Sequence, residues 1–271
     1  MKLKTLIMAI TVGFSFIACE KNENDMTVFD KESVQIAVDD NHDLMLIDNV
    51  VQNIEMLADL DESNLKSAVA EPTCPTITRS GKTFPLTMTI DYGTGCTDKD
   101  GKLKTGKVIV VKSAPWNQAG AQRTMTFEDF TVAGVAMAGN RISTNNGVAD
   151  NIQSFTWNED ITITRAEGKS VHRTSNHVRS FIAGFATSTD RSDDIIQITG
   201  SSNVVRSDQT SYSRTIVQPL VRKGDCSYIV SGVVEITRAN AKKVTMDYGD
   251  GSCDDKATVT NGEKTKEVVL K

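Results

Sequence analysis

The sequence predicts a mainly β protein, an antiparallel meander with an N-terminal helical segment packed on it. Three observations predict this class. Beyond Pro72 apolar and polar residues alternate with the period of two that turns one face of a strand inward. Short Gly and Asn-Gly breaks separate the alternating runs. Before Pro72 the apolar residues recur at three- and four-residue steps instead, the mark of one helical face. The pattern is compatible with a curved sheet, a half-barrel or a sandwich.

The chain opens with Lys2 and Lys4, then runs without charge from Leu6 to Ala18 before Cys19. A short basic region, an apolar stretch and a small residue at the cleavage point make residues 1–18 an expected export signal. As a helix, Leu6 to Ala18 spans only ~20 Å, short of the ~30 Å hydrocarbon core of a bilayer. The tetrapeptide Phe16-Ile17-Ala18-Cys19 resembles the bacterial lipobox. That resemblance implies a lipoprotein whose lipid anchor is Cys19 and whose partner is the membrane, held by its N-terminal acyl chains. One chain anchors only marginally, whereas additional chains make residence effectively permanent. Residues 19–29 follow as a tether. Its segment Glu20-Lys21-Asn22-Glu23-Asn24-Asp25 is polar, acidic and free of aromatics, which predicts flexibility. An acidic cluster directly after the lipidated Cys is similar to the surface-export signals of Bacteroidetes-type lipoproteins, which implies a lipid-anchored place in the cell envelope, at the outer membrane, with surface exposure left open.

Residues 30–70 form the helical segment. Leu44, Ile47, Val50, Val51, Ile54, Leu57 and Leu60 make one apolar stripe, expected to pack on the sheet. Asp39, Asp40 and Asp43 suit its first turn, where the helix dipole favours negative charge.

Residues 71–271 form the β-rich domain, with roughly a dozen strands in prospect. Phe84 to Asp91, much of Val171 to Thr187, and Tyr212 to Val217 alternate, while Lys107 to Val111 and Ile195 to Thr199 look like shorter, more buried strands. Breaks are expected at Asp100-Gly101, Gly139-Asn140, Asn146-Gly147, Gly168-Lys169 and Asn261-Gly262. With aromatic residues at only 6%, the core must rest mainly on Val, Ile, Leu, Met and Phe.

Cys74, Cys96, Cys226 and Cys253 remain beyond the anchor, and outside the cytoplasm an even set predicts disulfides. Three pairings are formally open. An internal echo selects one. Met88 to Cys96, with Asp91-Tyr92-Gly93, is matched by Val244 to Cys253, with Asp247-Tyr248-Gly249, and each copy has a Cys upstream with one candidate hairpin between. A hairpin turning in Arg238-Ala239-Asn240-Ala241 sets Cys226 opposite Cys253. For Cys74 and Cys96 the candidate turn at Ser80-Gly81 is off-centre, so a bulge or longer loop is needed. The two related units are 74–111 and 226–271. Asp-Tyr-Gly in both is expected to be structural, a strand end with a half-buried ring and a tight turn beside a cystine.

The Asp-Tyr-Gly-x-Gly-Cys string, the charged turn Thr97 to Lys102 and the strand Gly106-Lys107-Val108-Ile109-Val110 together resemble a set of uncharacterised Bacteroidetes-type envelope lipoproteins. The likeness is carried by residues 74–145 and more weakly by the C-terminal copy. It implies an exported β-rich lipoprotein and assigns no activity.

Catalytic constellations are not evident. His42 lies among acids on the helix, and His172 and His177 are an odd number apart on a strand and so face opposite ways. No HExxH or G-x-S-x-G string occurs. Asp193-Asp194 and Asp254-Asp255 are sequence neighbours pointing apart, and the acids of 98–101 and 247–255 match no calcium loop, so turn chemistry explains them better. No metal and no cofactor is expected. The formal net charge of −5 repels phosphate backbones and argues against nucleic acid. Of the two tryptophans, Trp116 follows Pro115 in a loop and is the candidate ligand contact, whereas Trp157 lies in an alternating stretch that suits core packing. These features make a binding or scaffold module the leading expectation, with an envelope hydrolase acting on glycan or lipid and a fimbrial-type structural subunit as alternatives.

Overall fold

The computed structural model describes residues 28–59, 74–97, 101–187, 190–239, 243–261 and 264–270. The signal 1–18, Cys19, the tether up to residue 27, and residues 60–73, 98–100 and 240–242 lie outside the described residues. Among the described residues a helix, α1 (Val28–Asp59), precedes fourteen strands. These are β1 (Thr76–Ser80), β2 (Leu86–Asp91), β3 (Cys96–Thr97), β4 (Leu103–Lys112), β5 (Gln122–Val132), β6 (Val135–Ala149) and β7 (Ile152–Thr164). They continue as β8 (Ser170–Ala183), β9 (Ile195–Arg206), β10 (Ser211–Lys223), β11 (Ile229–Arg238), β12 (Val244–Asp250), β13 (Lys256–Thr260) and β14 (Thr265–Val269). One antiparallel sheet holds them in chain order from β1 to β14, except that the short β3 pairs off the path with β4. Its ends, β1 and β14, do not join, so the sheet stays open.

Alternation sorts each strand into two faces. On β7, Gln153, Phe155, Trp157, Glu159, Ile161 and Ile163 are buried, while Ser154, Thr156, Asn158, Asp160, Thr162 and Thr164 turn outward. The inward face packs on α1. Ile47, Val51 and Ile54 share one apolar cluster with Ile161, Ile163, Val234 and Ile236, and each such burial stabilises by about 1.5–3 kcal/mol.

The sheet also grips the helix with charge. Every acid of α1 from Glu32 onward meets a cation or polar group of the sheet. Arg238 of β11 bonds Glu32 at 2.6 Å, Arg206 of β9 bonds Asp39 at 3.3 Å, and Arg165, after β7, pairs with Asp43. Asp40 receives Arg173 of β8 at 2.5 Å, Arg214 of β10 at 3.0 Å and the hydroxyl of Tyr212 at 3.0 Å. Towards the C-terminal end, Arg141 of β6 lies 4.0 Å from both Asp48 and Glu55, while Lys112 and Arg123 converge on Asp59.

These contacts dictate the curvature. Asp40 touches β8, and its neighbour Asn41 accepts a hydrogen bond from Tyr248 of β12 at 2.9 Å. Four strand spacings on a flat sheet cover ~19 Å at ~4.8 Å each, against a helix only ~10 Å across. The sheet therefore curls round α1 as an open half-barrel. Two inward-facing glycines let the strands bend. Gly139 in β6 has φ +106° and Gly200 in β9 has φ +123°, and a Cβ at either would overlap the carbonyl oxygen of the adjoining strand, Asp160 or Asn176. One strip of the helix stays uncovered, with Gln35 and His42 exposed and Asn49 and Met56 half-buried at seven-residue spacing.

The structure corrects several expectations. Gly139-Asn140 and Asn146-Gly147 do not separate strands; both lie inside β6, where a flexible backbone serves curvature and register shift rather than a turn. Asp39, Asp40 and Asp43 sit well inside a helix that already begins at Val28, and the guanidinium groups of the sheet account for them in place of the dipole. Tyr92 and Tyr248 are buried at 3% and 2% exposure, not half-buried.

Candidate functional site

The largest concentration of aromatic side chains forms where the C-terminal end of α1 meets β5 to β8. There a pocket of about 310 Å³ is lined by Glu55, Met56 and Asp59 from the helix, Trp116 and Arg123, Phe155 and Trp157 of β7, Arg179 and Phe181 of β8, and Phe185 in the following loop. The volume is at the lower end of the range for small-molecule sites. β7 and β8 present these residues because their inward phase runs Phe155-Trp157 and Arg179-Phe181, one residue in two.

Trp116 reaches the pocket from the loop between β4 and β5, and Asn145 holds that loop. The buried Asn145 side chain donates to the Trp116 carbonyl at 2.7 Å, while its own backbone exchanges hydrogen bonds with Gly120 and Ala121 at 2.7 and 2.9 Å. Gln153 donates to the Asn145 amide oxygen at 2.7 Å and fixes its orientation. The indole is already engaged by protein. The Arg123 guanidinium lies 3.8 Å from its centroid, and Phe155 stacks on it at 5.3 Å with 13° between the planes. Trp157 is buried, as its alternation predicts, yet it also forms part of the wall, with Arg141 3.9 Å over its ring. Phe181 and Phe185 meet edge-on at 5.3 Å, and Phe185 is 46% exposed at the rim.

Charge in the pocket is unevenly matched. Asp59 is taken by Arg123 and Lys112, and Glu55 by Arg141 and the Ser143 hydroxyl at 3.3 Å. Arg179 rests on aromatic rings, 5.0 Å from Phe181 and 5.6 Å from Trp157, and among the described residues it makes no ion pair. Its Nε is enclosed without a hydrogen-bond partner. Burial draws its pKa down to about 10, with Glu55 pulling the other way. Asp194, at the pocket edge, has its pKa raised by burial, opposed by Arg179.

The other singled-out residues lie elsewhere. Cys74 and Cys96, and Cys226 and Cys253, stand as disulfide pairs with Cα separations of 5.6 and 5.8 Å, the pairing that the echo selects. The hairpin β1–β2 has Thr76 opposite Asp91, so Cys96 comes level with Cys74 only after the turn at Gly93. Both Asp-Tyr-Gly copies make the same hydrogen bond, Asp91 accepting from the Gly93 amide at 2.8 Å and Asp247 from the Gly249 amide at 2.9 Å, but the first turns at the end of β2 whereas the second lies inside β12. Asp250 and Asp254 are likewise spent on the amides of Ser252 and Lys256. His172 faces out, 2.8 Å from Asp160, while His177 is buried inside the curl.

The sequence signals Trp116 but not Arg123, Arg179, Phe181 or Phe185. The available clue is parity: Arg179 shares the inward phase of His177 and Phe181. No protein-family profile, curated protein or solved structure matches the chain.

Proposed function

We propose that this protein is a lipid-anchored bacterial envelope lipoprotein of the Bacteroidetes type that binds a small ligand in the aromatic pocket at the end of α1. One observation carries the binding half. Aromatic residues are only 6% of the chain, yet both tryptophans converge with Phe155, Phe181 and Phe185 on one cavity. A core needs no such rim, because Phe185 is left 46% exposed there. The anchoring half rests on the lipobox-like run ending at Cys19. The outward face of β7, Ser, Thr, Asn and Asp throughout after Ile152, is consistent with a domain held in water by a tether, since a membrane barrel turns apolar residues outward.

The two halves are tested separately. The neutral fluorescent probe N-phenyl-1-naphthylamine is expected to bind saturably and to lose that signal in Met56→Trp, whose indole fills the pocket. A signal absent from the wild type, or unchanged by the filling, overturns the site. Cys19→Ser is expected to move the protein from the membrane fraction to the soluble one, and unchanged fractionation overturns the anchor.

A further inference from the structure

We propose that the ligand is a small anion with an apolar ring body, its carboxylate or sulfonate seated on Arg179 and its ring among Phe155, Phe181 and Phe185. The inference rests on the binding reading above and adds the charge and shape of what is bound.

The Arg179 guanidinium has no ion-pair partner among the described residues. Removing an arginine from water without an anion is costly, and folded chains normally supply one. Other inward cations of the sheet have their own: Asp59 for Arg123 and Lys112, Glu159 at 3.0 Å for Arg141, and Asp40 for Arg173 and Arg214. Arg179 has only rings beside it, and its closest acids are committed or lie beyond ion-pair distance. Arg222 of β10, which adds to the positive field at Arg179, makes no ion pair among the described residues either. Arg191 lines the mouth and is exposed. Of the three acids on the pocket wall, Glu55 and Asp59 are tied to Arg141 and Arg123, and Asp194, whose pKa burial raises against the pull of Arg179, forms no ion pair with it among the described residues.

The body of the ligand follows from the walls. A neutral sugar would need an open aromatic face, and both indoles are already engaged by arginines, Trp116 by Arg123 and Trp157 by Arg141. The ring that stays open is Phe185, 46% exposed at the rim and backed by Phe155 and Phe181, with ring centroids 5.3 to 6.2 Å apart. Such a group receives a flat ring edge-to-face. A charged head on the guanidinium then supplies the counter-charge that no ion pair among the described residues gives Arg179.

Calorimetric titration of the intact protein with 2-naphthoate, 2-naphthalenesulfonate and the neutral 2-naphthamide tests this. Both anions are expected to bind, with the amide weaker by about tenfold or more. Arg179→Met is expected to weaken naphthoate similarly and so to abolish its advantage over naphthamide. Equal binding of acid and amide by the wild-type protein overturns the assignment of charge and leaves the pocket standing, without depending on how well the variant folds. Heat from none of the three overturns the charge assignment, and the neutral naphthylamine probe then reports independently on whether the pocket binds at all.

Discussion

At the scale of single residues the molecule is governed by arginines that point inward. Asp40, Arg173 and Arg214 are each about 1% exposed, so their mutual hydrogen bonds replace water almost entirely. Arg173 also donates to the Ser202 hydroxyl at 2.9 Å, and Tyr212 completes the coordination of the carboxylate. Asp40→Asn is expected to leave two buried guanidinium groups short of their counter-charge and to cost about 3–5 kcal/mol. A urea unfolding midpoint measured against the wild type, with the slope unchanged, checks it. A loss under ~1 kcal/mol, the worth of an exposed pair, would show that water reaches the site. This pairing was not legible in the sequence. Arg173 shares its alternation phase with Val171, as Arg214 does with Tyr212 and Ile216, and that phase marks it as inward. A binary reading nevertheless assigns charge to solvent, and the partner is 133 residues away in the chain. The candidate site divides in the same way. Trp116 was legible because a tryptophan next to Pro115 in a loop has few packing partners nearby, whereas Arg179 gains its meaning from Phe181 two residues along its own strand together with Trp157 of the neighbouring β7.

At the scale of elements, periodicity carried most of the information. The three- and four-residue stripe gave α1 its packed face, and alternation gave the strands theirs, because one-sided burial leaves no other pattern open to either element. Glycine was ambiguous. Gly168 does punctuate two strands, whereas Gly139 and Gly200 bend strands from within, and local sequence does not distinguish a turn from a close approach of two backbones. The distinction can be measured. At Gly168, φ is +76° with nothing within 4 Å of a built Cβ, so Ala there meets only conformational strain, about 1 kcal/mol. At Gly200 the same methyl adds overlap with the Asn176 carbonyl, backbone that can yield only by opening the β8–β9 ladder. Gly200→Ala is expected to cost at least ~1–3 kcal/mol more than Gly168→Ala, read from thermal midpoints of the two variants side by side. Equal losses would mean that the curl does not depend on this bend.

At the scale of the whole molecule, a chain of formal charge −5 encloses a strip of positive side chains, since the helix carries its acids inward to meet them. The disulfides lie towards the two ends of the meander, Cys74–Cys96 beside β1 to β4 and Cys226–Cys253 beside β11 and β12, with only the short β13 and β14 beyond the second. The centre depends instead on the helix, and His177 shows what that interior does to a titrating group. Burial and then Arg214, with smaller additions from Arg173 and Arg141, pull its pKa from 6.5 to about 3 against the opposing pull of Asp48. The folded protein thus keeps His177 neutral at pH values where an unfolded chain would protonate it. Above about pH 6.5 neither state binds the proton and the residue adds no pH dependence. As the pH falls from there towards 3 the unfolded state alone takes up the proton, and stability drops by up to ~1.4 kcal/mol per pH unit. Between pH 6.5 and 4.5, above the usual range of carboxylates, that slope is expected to dominate. His177→Gln, which cannot charge, is expected to flatten it while the wild type loses stability steadily. Urea midpoints taken across this interval decide the matter, and parallel curves for the two proteins would place the acid-sensitive group elsewhere in the curl.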